Sequence, residues 1–187
     1  MRIGIFGGSF NPPHKTHLQI ANYLLDNSLV DKVIYVPAGV KYKYKNNLVS
    51  NMDRFNMLKL MIQGNDNLDV SDNEFTDEVT YTYQTLDYFR SLYPDAEIYF
   101  ICGADNLDYI DKWENAEYIL KNYPIIVFKR GDYKLKELDD ARIIVSEMDL
   151  SEVSSTSIRN RIKNNDFTID ELPLEVLDYI KENGLYR

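Results

Sequence analysis

The chain is poor in the residues that most often announce a function. Of 187 residues one is cysteine, Cys102, one is tryptophan, Trp113, and two are histidine, His14 and His17. A single cysteine excludes an intrachain disulfide and fits a reducing compartment. Zinc takes three or four ligands, and no cysteine or third histidine joins the histidine pair, so no resident metal site is expected. No glycine is followed by lysine, which removes a Walker A loop, and Gly4, Gly7 and Gly8 do not make G-x-G-x-x-G. Apolar runs fall short of the ~18 residues needed to cross a bilayer. The opening Met1-Arg2-Ile3-Gly4-Ile5-Phe6 runs into glycines without a signal peptide's apolar stretch. A cytoplasmic protein with no membrane partner is the expectation. Positive charge is scarce as well: 21 Lys and Arg against 30 Asp and Glu give a net charge of −9. Without a long basic run, a nucleic-acid partner is not expected, and any bound anion must be held by local positive charge.

What is present is a core. The composition is 44% hydrophobic and 13% aromatic, ample for one domain spanning 1–187. Short apolar runs read as strands over 3–6, 33–36, 97–102, 124–128 and 142–145. Helical spacing appears from Leu18 to Leu25, after Ser50 with Phe55, Leu58, Met61 and Ile62 on one face, over 83–92, around Ile119 and Leu120, and over 156–164 and 173–183, with Gly184 just beyond. Strand alternating with helix at this pitch predicts an α/β fold: a Rossmann-like, doubly wound parallel sheet with helices on both faces. Ligands of such sheets sit at the carboxyl ends of the strands. A basic, Tyr-rich stretch over 41–47 and a charged connection over 129–140 read as loops.

Three segments bear chemistry. The first is Gly7-Gly8-Ser9-Phe10-Asn11-Pro12-Pro13-His14-Lys15-Thr16-His17. The glycines permit a tight turn and close approach of an anion. The prolines stiffen the entry to a helix, and His14 and His17, three apart, share its first face. Two imidazoles, Lys15 and a helix N-terminus then converge on one spot suited to phosphate. The second segment is Ser154-Ser155-Thr156-Ser157-Ile158-Arg159. It reads either as an ordinary N-cap or as a second helix end for phosphate oxygens. Arg159 falls in that helix's expected first turn, where a cation opposes the dipole unless a polyphosphate offsets it. The third is Gly103-Ala104-Asp105-Asn106-Leu107, followed by Lys112-Trp113. Asp105 either accepts from ribose hydroxyls or caps the next helix. Trp113 either packs in the core or offers an aromatic ring a stacking platform.

These residues resemble the bacterial nicotinate-nucleotide adenylyltransferases of the paired-histidine nucleotidyltransferase superfamily. Residues 7–18 are similar to that family's opening motif, 154–159 to its late Ser-Ser-Thr-x-Ile-Arg motif, and 103–105 to its Gly-Ala-Asp. Arg54, Met57 and Leu58 are similar to Arg-x-x-Met-Leu, Thr80-Tyr81-Thr82 to a Ser-Tyr-Thr segment, and Trp113 and the ending 182–187 follow the family pattern. Three positions depart from it. Asn11 stands for Asp, Thr16 stands for the glycine between the histidines beside the phosphate site, and 40–44 replaces Pro-Pro-His-Lys.

The resemblance implies adenylyl transfer from ATP to nicotinate mononucleotide, with Mg2+ carried by the ATP. It casts His14, His17 and Arg159 as catalytic, and Gly7, Gly8, Ser9, Phe10, Gly103, Asp105, Ser155 and Thr156 as ATP-binding. Lys43, Thr80, Tyr81, Thr82 and Trp113 are cast as acceptor-binding. Alternatives are another phosphorylated acceptor, such as nicotinamide mononucleotide, or a nucleotide-binding module without turnover. A homo-oligomer is left open.

Overall fold

In a parallel sheet covered on both faces every strand residue is buried, so strands become unbroken apolar runs. Residues 3–6, 33–36, 100–102 and 125–128 follow that rule and are buried. A computed structural model describes residues 1–39, 48–128, 142–146, 148 and 153–187. The stretch 41–47, including Lys43, and the connection 129–140 lie outside the described residues. In chain order the elements are β1 (Arg2–Gly8), α1 (Lys15–Asp26), β2 (Lys32–Pro37), α2 (Asn51–Met61), β3 (Leu68–Val70), α3 (Thr82–Leu92), β4 (Glu97–Gly103) and α4 (Ala104–Leu107). A 3-10 turn (Ile110–Lys112) follows, then α5 (Ala116–Asn122), β5 (Ile125–Phe128), β6 (Ile143–Ser146), α6 (Ser155–Lys163) and α7 (Leu174–Glu182).

Among the described residues the strands form one sheet of six in the order β3-β2-β1-β4-β5-β6, every neighbouring pair parallel. The order reverses between β1 and β4, where an open α/β sheet leaves a crevice. Side chains alternate across it with the period of two that a strand imposes. Tyr35, Ile126 and Phe128 enter one layer with Leu24 of α1, Leu58 of α2, Ile158 of α6 and Val176 of α7. Ile34, Val36, Ile125 and Val127 enter the other with Leu86 of α3 and Ile119 of α5.

Most expected elements are present within a residue or two. Ser50 caps α2 by accepting from the Asp53 amide at 3.0 Å, and Gly184 follows α7 at φ +61. Three elements were not foreseen, β3, α4 and the 3-10 turn. With three, four and three residues respectively they are too short for a periodic signal, and β3 exists through its pairing with β2. The inward face of α2 also differs: Arg54, Met57, Leu58 and Met61 are buried, whereas Phe55 is half-buried. An arginine occupies a core position at the i, i+3, i+4, i+7 spacing, which an apolar count passes over.

Beyond β2 the backbone of Gly39 passes so close to the chain before α3 that a Cβ would stand 2.4 Å from the Glu74 carbonyl oxygen. Backbone cannot step aside as a side-chain tip can. Gly39→Ala is therefore expected to destabilise the fold by about 1–3 kcal/mol. The readout is the urea midpoint, and an unchanged midpoint would show the two segments free to part.

Candidate active site

The crevice at the reversal point is a cavity of about 770 Å³. Its lining comes from the end of β1 (Gly7, Gly8) and the turn that follows (Ser9, Phe10, Asn11). The start of α1 (His14, His17), the end of β4 with α4 (Gly103, Asp105, Asn106), the end of β5 (Phe128) and the start of α6 (Ser154, Ser155, Thr156, Arg159) also contribute. Three sequence segments, 7–17, 103–106 and 154–159, thus meet in one place. Thr80, Tyr81, Thr82 and Trp113 are not among the lining residues.

The turn between β1 and α1 is held through its carbonyl groups. Ala38 N–H donates to Gly8 O at 2.8 Å, and Arg54 Nη1 donates to Ser9 O at 3.0 Å. Arg159 Nη1 donates to Asn11 O at 2.8 Å, and Ser155 Oγ to Pro12 O at 2.9 Å. Asn11 Oδ1 in turn accepts from the Val49 amide at 3.2 Å and from the Tyr186 hydroxyl at 2.9 Å. Phe10 lies at φ +44, and its buried ring meets Phe6, Tyr35 and His17 edge-on.

His14 is the N-cap of α1, in extended backbone, and its ring lies 3.9 Å from that of His17, centroid to centroid. His17 Nδ1 accepts from the His14 amide at 3.1 Å. An imidazole nitrogen that accepts bears no proton, so in the neutral ring the proton sits on Nε2, which is then a donor. His17 is therefore part of the helix cap, and its removal costs folding as well as chemistry. The Tyr35 hydroxyl donates to His17 O at 2.9 Å and ties the first turn of α1 to the sheet.

Several expectations are revised by this geometry. Lys15 is exposed and does not line the cavity. Thr16, expected beside the phosphate site, is buried and also does not line it. Residues 14 and 17 share a helix face, and the two residues between them belong to others. Arg159 stands in the second turn of α6, because Ser154 caps the helix by accepting from the Ser157 amide at 3.1 Å. Its guanidinium is held by Asn11 O and by Thr156 Oγ1 at 3.1 Å. Removing it unpairs a carbonyl, so no gain in stability follows from its loss.

Ser155 places its hydroxyl on the turn, and Ser155 and Thr156 are the first two residues of α6, positions whose amides have no acceptor within the helix. Gly103 ends β4 and is the N-cap of α4, and a Cβ there would lie 2.6 Å from Asp105 Oδ1. Asp105 lies in the first turn of α4 and is the one carboxylate lining the cavity among the described residues. Cys102 lies at the cavity wall, and burial pushes its thiol well above the usual range, so it is not a nucleophile. Among the described residues no group of three or more His, Cys, Asp or Glu comes together to hold a metal.

On the other layer of the sheet, Trp113 is half-buried and edge-on to Phe100 at 5.7 Å. Tyr83 packs on the same layer. Tyr81 is the N-cap of α3, and its amide donates to Gln84 Oε1 at 2.9 Å. The Thr80 hydroxyl lies 3.3 Å from that of Thr76.

The chain that builds this cleft, at the strand ends of a parallel sheet and ringed by two helix N-termini, matches the cytidylyltransferase-like family over residues 5–161. The relatives are narrower in kind. "Probable nicotinate-nucleotide adenylyltransferase" of Carboxydothermus hydrogenoformans is 39% identical over 197 residues, covering 100% of this chain and 98% of its own. The protein of the same name from Caldicellulosiruptor saccharolyticus is also 39% identical, with both chains fully covered. The solved nicotinic acid mononucleotide adenylyltransferase of Plasmodium falciparum, complexed with NaAD, superposes with a TM-score of 0.82 at 24% identity. That match covers 99% of this chain and 97% of the other. The chain belongs to the nicotinate-nucleotide adenylyltransferases within the cytidylyltransferase-like family.

Arg54 is the residue most easily missed. It is fully buried and also donates to Val49 O and Asn51 Oδ1. Burial depresses its pKa, and Glu74 opposes that through its charge. Burial in turn raises the Glu74 carboxyl to about 7, against a donated bond from Thr85 and the nearby Arg54. Between the ordinary value of 4.5 and about 7 the folded chain keeps a proton that the unfolded chain has released. Stability contributed by this group is thus present below that window and falls as pH rises through it. Glu74→Gln should remove that fall. In thermal melts, wild type should lose several degrees relative to the variant between pH 4.5 and 7, with a constant gap above. Parallel pH profiles would rule the assignment out.

Proposed function

We propose that the protein transfers the adenylyl group of ATP to nicotinate mononucleotide, giving deamido-NAD and pyrophosphate in NAD biosynthesis. The supporting observation is the meeting of the close His14–His17 pair, the α6 N-terminus and Arg159 around one cavity at the end of β4. The chain around that cavity matches its named relatives over its whole length.

The chemistry needs no protein nucleophile. A phosphate monoester has a second pKa near 6 and is largely dianionic at neutral pH. Its oxygen attacks the α-phosphorus of ATP in line, the bridging bond between α- and β-phosphates breaks, and pyrophosphate leaves with the electron pair. No general base is required, so catalysis consists of positioning and of stabilising charge as it moves to the leaving group. His17 Nε2–H donates to an α-phosphate oxygen. His14, Arg159 and the amides of Ser155 and Thr156 hold the triphosphate. Gly7, Gly8, Ser9 and Phe10 form the floor on which the phosphates approach backbone. Gly103 and Asp105 meet the adenosine ribose. ATP enters as its Mg2+ complex, the metal held mainly by phosphates, in keeping with the single carboxylate, Asp105, among the described lining residues.

The acceptor ring is assigned to the other layer. Trp113 offers an indole face, and the N-terminus of α3 at Thr82 presents helix amides to the nicotinate carboxylate, with Thr80 and Tyr81 shaping the approach. Lys43 is proposed as a further positive charge toward the acceptor.

His17→Ala should lower kcat by on the order of 10²–10³, the usual result of losing one donor to developing charge. Because His17 also caps α1, about 0.5–2 kcal/mol of stability should go with it. His17→Asn, which offers an amide oxygen for the cap, should recover stability but not turnover. Near-normal turnover in either variant would sink the role.

Acceptor choice gives a second test. A site made of donors rejects a carboxamide, whose NH2 faces them unpaired. With ATP and Mg2+, pyrophosphate release should strongly prefer nicotinate over nicotinamide mononucleotide. Trp113→Ala should raise the acceptor KM, with a stacking loss of about 1–3 kcal/mol, and leave the KM for ATP little changed. Equal kcat/KM for the two acceptors would refute the preference without touching adenylyl transfer.

A further inference from the structure

We infer that Tyr186 is a positioning residue for ATP, acting through Asn11 to fix the aim of Arg159. The inference rests on the reading of Arg159 as a triphosphate ligand, and on nothing assumed about the acceptor.

Asn11 is engaged at two ends. Its main-chain carbonyl accepts from Arg159 Nη1 at 2.8 Å. Its side-chain Oδ1 accepts from the Tyr186 hydroxyl at 2.9 Å and from the Val49 amide at 3.2 Å. The guanidinium that lines the cavity is thus oriented by a carbonyl whose own residue is pinned from behind. Tyr186 reaches this place at φ +65, a conformation that bulky residues seldom adopt. Its hydroxyl is what the local backbone is arranged to deliver, 175 residues along the chain from its acceptor. Burial holds the phenol protonated, so it remains a donor across the neutral range. Arg159 has a second anchor in Thr156 Oγ1 at 3.1 Å. Losing Tyr186 should therefore loosen the aim of the guanidinium without releasing it.

Packing alone would give Tyr186 a different signature. Leu185 and Tyr186 both lie against the core layer below the turn, and phenylalanine keeps that contact while discarding the hydroxyl. Tyr186→Phe, Arg159→Ala and the double variant form a cycle. Binding of the α,β-methylene analogue of ATP with Mg2+, measured by calorimetry, is the readout. Tyr186→Phe is expected to weaken binding about five- to tenfold in the wild-type background and less than twofold when Arg159 is already alanine. Its Tm should stay within a few degrees of wild type, and the KM for nicotinate mononucleotide should not move.

An equal loss in both backgrounds would overturn the inference, as would a lowered Tm with unchanged binding. The cycle needs no turnover. A wild-type chain that binds the analogue but releases no pyrophosphate with nicotinate mononucleotide sinks the proposed reaction and leaves the cycle readable. A wild-type chain that binds no analogue overturns both.

Discussion

The cleft depends on one constraint: the turn between β1 and α1 has to expose a row of carbonyl groups that it cannot satisfy itself. Pro12 and Pro13 have no N–H, and the turn is too tight to form a ladder of its own. Donors must be brought from elsewhere. They come from the chain after β2, from Arg54 on α2, and from Ser155 and Arg159 on α6. Each donor belongs to an element that must pack at a fixed distance from β1. The positions of α2 and α6 are therefore set by this turn as much as by the core.

Arg54 shows what the solution entails. A buried guanidinium is costly unless its donors are used, and here Nε, Nη1 and Nη2 reach Val49 O, Ser9 O and Asn51 Oδ1. Its charge is opposed by Glu74, which is itself driven toward its neutral form by burial. The same segment passes against Gly39. The polar interior beside the cleft is thus one connected arrangement, in which a carbonyl at residue 9 is linked to a backbone approach beyond β2.

The strands were legible because a sheet covered on both faces writes itself as apolar runs, and the histidine pair because two histidines so close together follow a strand and a turn. β3 was not legible: three residues have no period, and only β2 makes them a strand. The turn of α6 that holds Arg159 depended on which serine caps the helix, and Ser154 and Ser155 are equally good caps on paper. Thr16 was misplaced by reading the motif as a line when it is a helix. Arg54 and Tyr186 were visible as pieces of a familiar pattern, but the bonds by which they hold the turn, to Ser9 O and Asn11 Oδ1, span 45 and 175 residues. No local rule exposes such partners.

The separation between the turn and its clamps also bears on how the protein is made. His14 and His17 leave the ribosome well before the residues that clamp their turn, and β1, α1 and β2 can pair as soon as they emerge. The groups that hold Pro12 and Asn11 lie 143, 148 and 175 residues further along. Contacts so distant in sequence are the slowest to form. A nascent chain therefore displays both imidazoles while it still lacks the guanidinium and phenol that clamp the turn. The cleft reaches its final shape only once α6 and the residues that follow α7 have been made.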